Sequence, residues 1–219
     1  MSTALVILTW NEVDAVRVIF PKINKEWVDE ILVVDGGSTD GTMDEAKKAD
    51  FRVIKQKIKG HGGAIITGIE NTKSDNIIIF GPDGNHEPEE IPRLIQKIEE
   101  GYDQVVVSRF TKQSIIKEPN YSFVKFGNQF FTFWVNILFR GHLSDSMTDS
   151  RIITRRAFNE LDFDVLLLDS TLTMTIRGMK KKQKMTEIVG DQGKRIGGKR
   201  KMKPFKTGVL IIKRIIKEL

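Results

Sequence analysis

The 219-residue chain contains no cysteine, which excludes an intramolecular disulfide framework and a thiolate metal site. No stretch reaches the roughly 20 uninterrupted apolar residues that are needed to cross a bilayer. The first residues, MSTALVILTWNE, lack the basic segment and the small-residue cleavage site of a secretory signal. Internal repeats and low-complexity segments are absent as well. These absences argue against a disulfide-rich secreted protein, and we expect a protein of the cytoplasm.

Apolar residues make up 40% of the chain, which is enough for a sizeable core, and the length favours one domain. The formal net charge of +6 is unevenly distributed. Residues 1–110 hold 13 basic and 19 acidic side chains, whereas residues 111–219 hold 22 and 10, and residues 178–219 alone hold 14 and 3. So basic a segment is expected to contact nucleic acid, a phosphorylated ligand or an acidic membrane surface, and the alternative is a solvated cationic face.

Short runs of valine and isoleucine alternate with helical patterns through the first 110 residues. Such runs, bounded by glycine, aspartate and proline, are typical of strands buried on both faces of a mainly parallel sheet. The pattern predicts an α/β fold with a Rossmann-like sheet flanked by helices. The predicted strands are 4–9, 31–34, 51–54, 76–80 and 104–107, and the predicted helices between them include 42–49, 63–72 and 89–100.

Polar side chains follow four of these strands, namely Asn11, Asp35, Asp83 and Arg109. In repeated βαβ units, ligands bind at the carboxyl ends of the strands. Four successive polar strand ends are better explained by a shared site than by chance. We therefore expect these side chains to meet in one cleft.

Two later segments predict helices with apolar faces. Residues 123–139 are dense in aromatic side chains but interrupted by polar ones, so they form either a helix buried on the sheet or a helix partly immersed in a lipid interface. Residues 205–219 predict a basic amphipathic C-terminal helix. Its apolar stripe consists of Phe205, Val209, Ile212, Ile216 and Leu219.

Two segments carry candidate chemistry. In residues 33–42, VVDGGSTDGT, a strand ends in Asp35, and two glycines permit a sharp turn. Asp35 is placed to accept hydrogen bonds from a base or ribose, although the segment also reads as a simple turn. In residues 80–92, FGPDGNHEPEEIP, Asp83 and Asn85 offer the hard oxygen ligands that suit Mg²⁺ or Mn²⁺ holding a diphosphate.

A third segment is rich in glycine. Residues 59–64, KGHGGA, lack the GxxxxGK[ST] spacing of a phosphate loop and do not complete GxGxxG. The segment predicts a tight strand-to-helix turn that offers Lys59 and Gly60 as nucleotide contacts.

In their order along the chain, these segments resemble the family-2 glycosyltransferases with the GT-A fold, and within them the dolichol-phosphate mannose/glucose synthase-like branch. Residues 9–12, TWNE, resemble the motif PxYNE, and VVDGGSTDGT resembles VVDDGSTDGT. Residues 81–92, GPDGNHEPEEIP, are similar to DADLQHPPE, and residues 108–110, SRF, to GSRY. Residues 145–151, DSMTDSR, resemble DxTSGFR, and residues 195–199, RIGGK, resemble RxGxSK.

The resemblance implies roles for the matched positions. Trp10, Glu12 and Asp35 would hold the nucleotide, and Asp83, assisted by Asn85, would bind a divalent metal, Mg²⁺ or Mn²⁺. The further donor contacts would be Gly36, Lys59, Gly60 and Lys199, and the arginines that bind donor or acceptor phosphate would be Arg109, Arg151 and Arg195.

The implied reaction moves a sugar from a GDP- or UDP-linked donor to an acceptor, expected to be a polyprenyl or dolichyl phosphate. A soluble or cell-surface glycan hydroxyl is the alternative acceptor. A phosphate acceptor needs no general base, whereas a hydroxyl needs one, for which Asp145 and Asp149 are the candidates. A basic nucleic-acid-binding module is the alternative from another class, but it would leave Asp35 and Asp83 without a role, so no nucleic-acid partner is expected.

The resulting organisation is a single GT-A domain. Residues 1–110 are its predicted nucleotide-sugar-binding half, residues 111–203 its acceptor-binding half, and residues 204–219 its amphipathic helix. We expect that helix to attach the protein peripherally to the anionic cytoplasmic face of a membrane. Alternatively, its apolar stripe is buried against the sheet or against a second copy of the chain, which would make a homo-oligomer.

Overall fold

A computed structural model of the protein describes residues 1–119, 121–197 and 202–219. Within these ranges, seven strands form one mixed sheet: β1 (Thr3–Thr9), β2 (Glu30–Asp35), β3 (Arg52–Lys55), β4 (Asn76–Phe80), β5 (Gln104–Ser108), β6 (Arg151–Thr154) and β7 (Met185–Val189). Their order across the sheet is β3-β2-β1-β4-β6-β5-β7. Every neighbouring pair is parallel except the two that involve β6, which runs antiparallel to β4 and β5.

Helices of the described chain lie on both sides of this sheet: α1 (Val13–Ile19), α2 (Thr42–Lys48), α3 (His61–Glu70), α4 (Glu90–Glu99), α5 (Ser122–Phe139), α6 (Arg155–Asn159), α7 (Ser170–Lys180) and α8 (Pro204–Glu218). Helices α1, α2 and α4 cover one face, and α3, α6 and α7 cover the other. Helices α5 and α8 pack on α7 and on each other.

The central strands are apolar on both faces because each face meets a helical layer. In β1, Leu5 and Ile7 pack with α1 and α4, whereas Val6 packs with α3. Helix α3 comes close to the sheet at Gly68, where a Cβ atom would lie 2.3 Å from Val6 Cγ1. The valine and isoleucine runs are therefore strands buried on both faces, as the sequence predicts.

The mainly parallel α/β sheet is confirmed, and the five predicted strands and three predicted helices all occur, within about two residues of their predicted ends. Strands β6 and β7 and helices α6 and α7 were not predicted. Strand β6, RIIT, has only four residues and is polar at both ends, so its pattern does not stand out. Because β6 and β7 come from the second half of the chain, one sheet unites both halves.

The two predicted apolar helices are α5 and α8. No helix in the described residues combines the length and the apolarity that crossing a membrane requires.

Candidate active site

The carboxyl ends of β1, β2, β4 and β5 open onto one cleft of about 1200 Å³. This is the edge at which the sequence predicts a ligand site. Of the predicted site residues, the cleft is lined by Trp10, Glu12, Gly36, Lys59, Gly60, Asp83, Asn85, Arg109 and Arg195. Asp35 and Arg151 do not belong to its lining, and Lys199 lies outside the described residues.

An ion-paired cluster stands at the charged end of the cleft. Arg195 Nη1 donates to Asp83 Oδ2 at 2.6 Å, and Arg195 Nη2 binds Glu12 Oε1. Burial raises the pKa of the Asp83 carboxyl, and the charge of Arg195 opposes that rise. One guanidinium thus partners two carboxylates that follow different strands, β1 and β4.

Arg195 reaches Asp83 because residues 193–196 pair with the loop 83–85. Two backbone amides of the first segment donate to carbonyls of the loop, each at 2.9 Å. A Cβ atom on Gly193 would lie 2.0 Å from a carbonyl oxygen of that loop, so the close pairing requires glycine at this position.

Asn85, the second predicted metal ligand, is engaged within the protein. Its Nδ2 donates to Asp83 Oδ2 and its Oδ1 accepts from Gln192 Nε2, both at 2.7 Å. Gln192 Oε1 also accepts from Arg109 Nη1 at 3.4 Å, so the buried Gln192 links two strand ends. Gln192 is not among the residues predicted from the sequence, since a single glutamine in a loop carries no recognisable pattern.

Asp35 ends β2 and is fully buried. Its carboxylate accepts from the amides of Gly37 and Ser38 at 2.8 and 2.7 Å, and from the hydroxyls of Ser38 and Thr9 at 2.6 and 2.9 Å. Four donors occupy the lone-pair sites of a carboxylate. Asp35 therefore organises the turn after β2, and its contact with a nucleotide stays a prediction.

Trp10 and Gly36 touch at the rim of the cleft. A Cβ atom on Gly36 would lie 3.1 Å from Trp10 Cβ and Cγ, so a larger residue at 36 would push the indole aside. Trp10 is 49% exposed and offers a flat apolar surface. Both residues are variants of the family motifs, and the two variant positions lie against each other.

Arg109 is fixed by a bidentate ion pair with Asp145. Its Nε and Nη2 donate to the two carboxylate oxygens at 2.7 and 3.1 Å, and its Nη1 donates to the Tyr121 hydroxyl at 3.2 Å. Burial by itself would lower the pKa of Arg109, but the charge and hydrogen bond of Asp145, together with Tyr121 and Asp149, outweigh burial, so the pKa is raised. Arg109 therefore stays charged at the end of β5.

Arg151 begins β6 and is fully buried. Its Nη2 donates to the carbonyl of Thr148 at 2.6 Å, and its Nη1 donates to the hydroxyl of Thr175 at 3.2 Å. Burial lowers the pKa of Arg151 to about 10, so the side chain is still charged at neutral pH. These contacts support the chain before β6, and the phosphate contact of Arg151 stays a prediction.

The glycine-rich turn before α3 packs against backbone. A Cβ atom on Gly60 would lie 2.2 Å from the carbonyl oxygen of Leu166, and one on Gly62 would lie 1.7 Å from the carbonyl oxygen of Val165. Gly62 N also donates to Leu166 O at 3.0 Å. The glycines thus admit residues 165–168 against α3, while Lys59 stays exposed at the rim of the cleft.

Asp149 and His61 lie together in the cleft lining. His61 Nε2 is 3.8 Å from Asp149 Oδ1, and His61 Nδ1 is 2.7 Å from the hydroxyl of Ser170. Asp145, the other candidate base, is fully buried and bound to Arg109. Of the two candidate bases, Asp149 is therefore the one that faces the cleft.

Beyond its charged end, the cleft continues between α5 and α8, where its lining is largely apolar. The same helix α5 exposes many apolar side chains: Phe123, Phe126, Phe130, Phe133, Trp134, Ile137 and Leu138. The alternative in which the aromatic residues of this helix are buried on the sheet is therefore wrong. Helix α5 packs instead on α7 and α8, through a face that includes Val135 and Phe139.

Helix α8 docks through one apolar stripe and exposes another. Ile211 and Ile215 are buried against α5 and α7. The exposed stripe is the one identified in the sequence, namely Phe205, Val209, Ile212, Ile216 and Leu219. The alternative in which this stripe is buried against the sheet is wrong, because Ile211 and Ile215 supply the docking contact instead.

Ion pairs join α8 to α7. Arg214 Nε donates to Asp169 Oδ2 at 2.7 Å, and Arg177 Nε donates to Glu218 Oε1 at 3.0 Å. All four side chains are largely buried. The C-terminal helix is thus held by charge as well as by apolar contact.

Residues 4–181 match the sequence profile described as Glycosyl transferase family 2. The chain belongs to this family. Among curated family-2 relatives, the dolichol-phosphate mannosyltransferase of Pyrococcus furiosus is 33% identical over 120 residues, which cover 51% of this chain and 34% of that protein. The undecaprenyl-phosphate 4-deoxy-4-formamido-L-arabinose transferase of Klebsiella pneumoniae is 37% identical over 94 residues, which cover 40% and 29%. The chain therefore matches about a third of the length of these two relatives.

Solved structures of similar fold include glucosyl-3-phosphoglycerate synthase from Mycobacterium tuberculosis in complex with Mn²⁺, uridine diphosphate and phosphoglyceric acid. It is 18% identical, with a TM-score of 0.75, and the alignment covers 99% of this chain and 78% of that one. This likeness confirms the GT-A fold implied by the sequence motifs.

The family motif implies a divalent cation. In this family-2 chain, Asp83 would be the one carboxylate ligand that the motif supplies. Gly81 stands where the motif has its first aspartate, and Asn85 is engaged with Gln192. The described residues contain no group of three or more His, Asp or Glu side chains that could hold a metal by themselves. Mg²⁺ is commonly held by one or two carboxylates together with substrate phosphates. Asp83 therefore fits a cation that binds together with a diphosphate.

Proposed function

We propose that this protein transfers a sugar from a GDP- or UDP-linked donor to a polyprenyl or dolichyl phosphate at a membrane surface. The observation that carries the proposal is the convergence of Asp83, Glu12, Arg109 and Arg195 at the carboxyl ends of three parallel strands. Positive groups held at this place can neutralise the charge that develops on a departing nucleoside diphosphate. Trp10 offers a surface on which a base can stack.

Three of these charged residues have a direct part in this proposal. Arg109 and Arg195 bind phosphate oxygens, for which the planar guanidinium is suited. Asp83 holds the divalent cation, which neutralises the diphosphate when it is bound. Since Arg195 already pairs with Asp83, Arg195 would have to exchange that carboxylate for phosphate oxygens when the donor binds.

A phosphate acceptor is favoured on two grounds. It is ionised at neutral pH and attacks without a general base, and Asp145, one of the two candidate bases, is buried in an ion pair with Arg109. Two family-2 relatives are a dolichol-phosphate and an undecaprenyl-phosphate transferase by name. A second candidate function, transfer to a glycan hydroxyl, is supported by Asp149, which lines the cleft close to His61.

The transfer experiment separates these candidates. GDP- and UDP-linked hexoses are offered with Mn²⁺, and with a chelator in its place, to undecaprenyl phosphate in mixed micelles and to soluble oligosaccharides. We expect labelled lipid product with one donor class, and unchanged transfer by an Asp149→Asn variant. Product only on the oligosaccharides, lost in Asp149→Asn, would overturn the phosphate acceptor in favour of the hydroxyl.

Peripheral membrane attachment belongs to the same proposal. The exposed apolar side chains of α5 and α8 lie next to each other, with the Phe123 and Phe205 ring centroids 6.4 Å apart. Lys206, Lys213 and Lys217 are exposed on α8 and would attract anionic headgroups, at about 1 kcal/mol for each lysine near the surface.

Flotation with acidic liposomes tests this attachment. The full chain is compared with a chain truncated after Lys203, at low and high salt. We expect the full chain alone to float, and to do so less at high salt. If neither floats at low salt, attachment through α8 is wrong. Sedimentation without lipid then shows whether a second copy of the chain covers the exposed face.

A further inference from the structure

The cleft joins two chemically different compartments without a wall between them. Its charged end holds Asp83 and Arg195, and its other end runs between α5, α8 and the leucines at 167, 168 and 172. We call this second part the α5–α8 groove. A ligand that fills the whole cleft therefore needs a charged head and an apolar tail.

Glycines of both helices line the α5–α8 groove. Gly127 of α5 and Gly208 of α8 both belong to its lining. Apart from its chain neighbours and the backbone of its own helix, a Cβ atom on Gly127 would meet no atom of the described residues within 4 Å, and one on Gly208 would reach Phe131 Cζ at 4.0 Å. Glycine inside a helix is destabilising relative to alanine. Because close packing does not require either glycine, their effect is to leave space in the groove.

The groove is bordered by the exposed apolar faces of the same two helices. Phe123 lines the groove and is 63% exposed, and Phe205, which contacts it, is 84% exposed. If these faces enter a lipid interface, as proposed above, a lipid tail passes from the bilayer into the groove along apolar side chains. The charged head then lies toward Arg109 and Arg195.

We infer that the α5–α8 groove binds the first isoprene units of the acceptor and so positions its phosphate at the charged end of the cleft. This inference rests on the proposed function, because it gives the apolar half of the same acceptor a place. It assigns Gly127 as a specificity-determining position, since any side chain there projects into the space of the isoprenoid.

The test is a graded series, Gly127→Ala, Gly127→Leu and Gly127→Trp, with Gln129→Trp as the matched control. Gln129 is exposed on the same helix and is not part of the cleft lining. Farnesyl phosphate in solution is the acceptor, so membrane attachment does not enter. We expect the KM for farnesyl phosphate to rise with side-chain size, by at least about tenfold for tryptophan. The KM for the donor is expected to stay unchanged, and Gln129→Trp to behave as wild type.

A second measurement separates the groove from the proposed function. A farnesyl phosphate that carries a benzophenone at its tail is cross-linked to the wild-type chain without donor, and the labelled peptide is identified by mass spectrometry. Labels on α5 or α8 that disappear in Gly127→Leu support the groove even if no sugar is transferred. If the wild type transfers sugar and the KM for farnesyl phosphate is the same in every variant of the series, the inference about the groove is wrong. The proposed function would still stand. Circular dichroism of each variant establishes that it is folded, and the alanine and leucine variants decide the question if the tryptophan variant is not.

Discussion

The two ends of the cleft differ in how their side chains are partnered. At the charged end, Arg195 holds two carboxylates and Arg109 holds a third. At the α5–α8 end, the neighbouring helix surfaces expose large apolar side chains, with Ile216 at 65% exposure. The charged end is satisfied by the chain itself, whereas the apolar end gains free energy from any body that covers it, at about 25 cal/mol per Å².

This difference predicts two modes of ligand binding. A ligand at the charged end exchanges partners with groups that are already paired, so its net affinity is a small difference between large interactions. A ligand at the apolar end adds burial without breaking an ion pair. Donor recognition should therefore respond to charge substitutions, and acceptor or membrane recognition to apolar ones.

The largest effect is expected from Asp83→Ala, which removes the carboxylate shared by Arg195 and the proposed cation. Sugar transfer should fall about 100- to 1000-fold while the fold persists. The measurement is transfer in saturating Mn²⁺, with a urea unfolding curve for each protein. Glu87→Ala, in the same loop but more exposed, is the matched control. Near wild-type transfer by Asp83→Ala would remove the charged end from the mechanism.

Neighbouring isoleucines of α8 test the apolar end, since Ile215 is 8% exposed and Ile216 is 65% exposed. Ile215→Ala should lower the free energy of unfolding by about 2 kcal/mol, at the low end for a buried isoleucine because the site borders solvent. Ile216→Ala should leave stability within about 0.5 kcal/mol but weaken vesicle binding. Urea unfolding and flotation are measured for both variants. Equal behaviour of the two would contradict the assignment of faces.

Arg195→Gln tests the exchange of partners at the charged end. Without donor, a divalent cation competes with the Arg195 guanidinium for Asp83. Removing that positive charge should raise Mn²⁺ affinity by about tenfold. The free energy of this change is a small part of the repulsion between two adjacent positive charges. The free Mn²⁺ signal in electron paramagnetic resonance reports the binding, and Arg195→Lys keeps the charge as a control. Wild-type affinity in Arg195→Gln would mean that the two cations do not compete.

The smallest effect is expected from Asp35→Asn. The carboxamide keeps the shape of Asp35 but turns one acceptor into a donor that faces other donors. The free energy of unfolding should fall by an amount on the order of 1 kcal/mol. The affinity for the nucleotide-sugar donor should fall in parallel, because the turn that Asp35 organises places Gly36 against Trp10. Lower donor affinity at unchanged stability would instead indicate a direct contact between Asp35 and the nucleotide.

Local pattern was enough to predict the strand ends and the cleft they form, because parallel strands place their carboxyl ends on one edge. Local pattern could not predict that Arg195 pairs with Glu12, because Arg195 follows β7 and Glu12 follows β1, far away in the sequence. The position of β6 was equally hidden, since its insertion between β4 and β5 depends on the packing of the whole sheet.

Helix α8 shows a different limit. Its period and its charged residues were read correctly, but it carries two apolar stripes, and the sequence does not say which one meets the domain. The structure buries Ile211 and Ile215 and exposes the stripe that contains Ile212 and Ile216.

The ion pairs between α7 and α8 decide how α8 is rotated about its own axis. Successive residues of a helix are turned by roughly 100°, so a helix with two apolar stripes could dock through either stripe. In the second orientation Asp169 and Arg177 would lose Arg214 and Glu218, and a buried charge without its partner is strongly destabilising. Charge thus favours one of the two rotations, and this preference keeps the stripe that contains Ile216 turned outward.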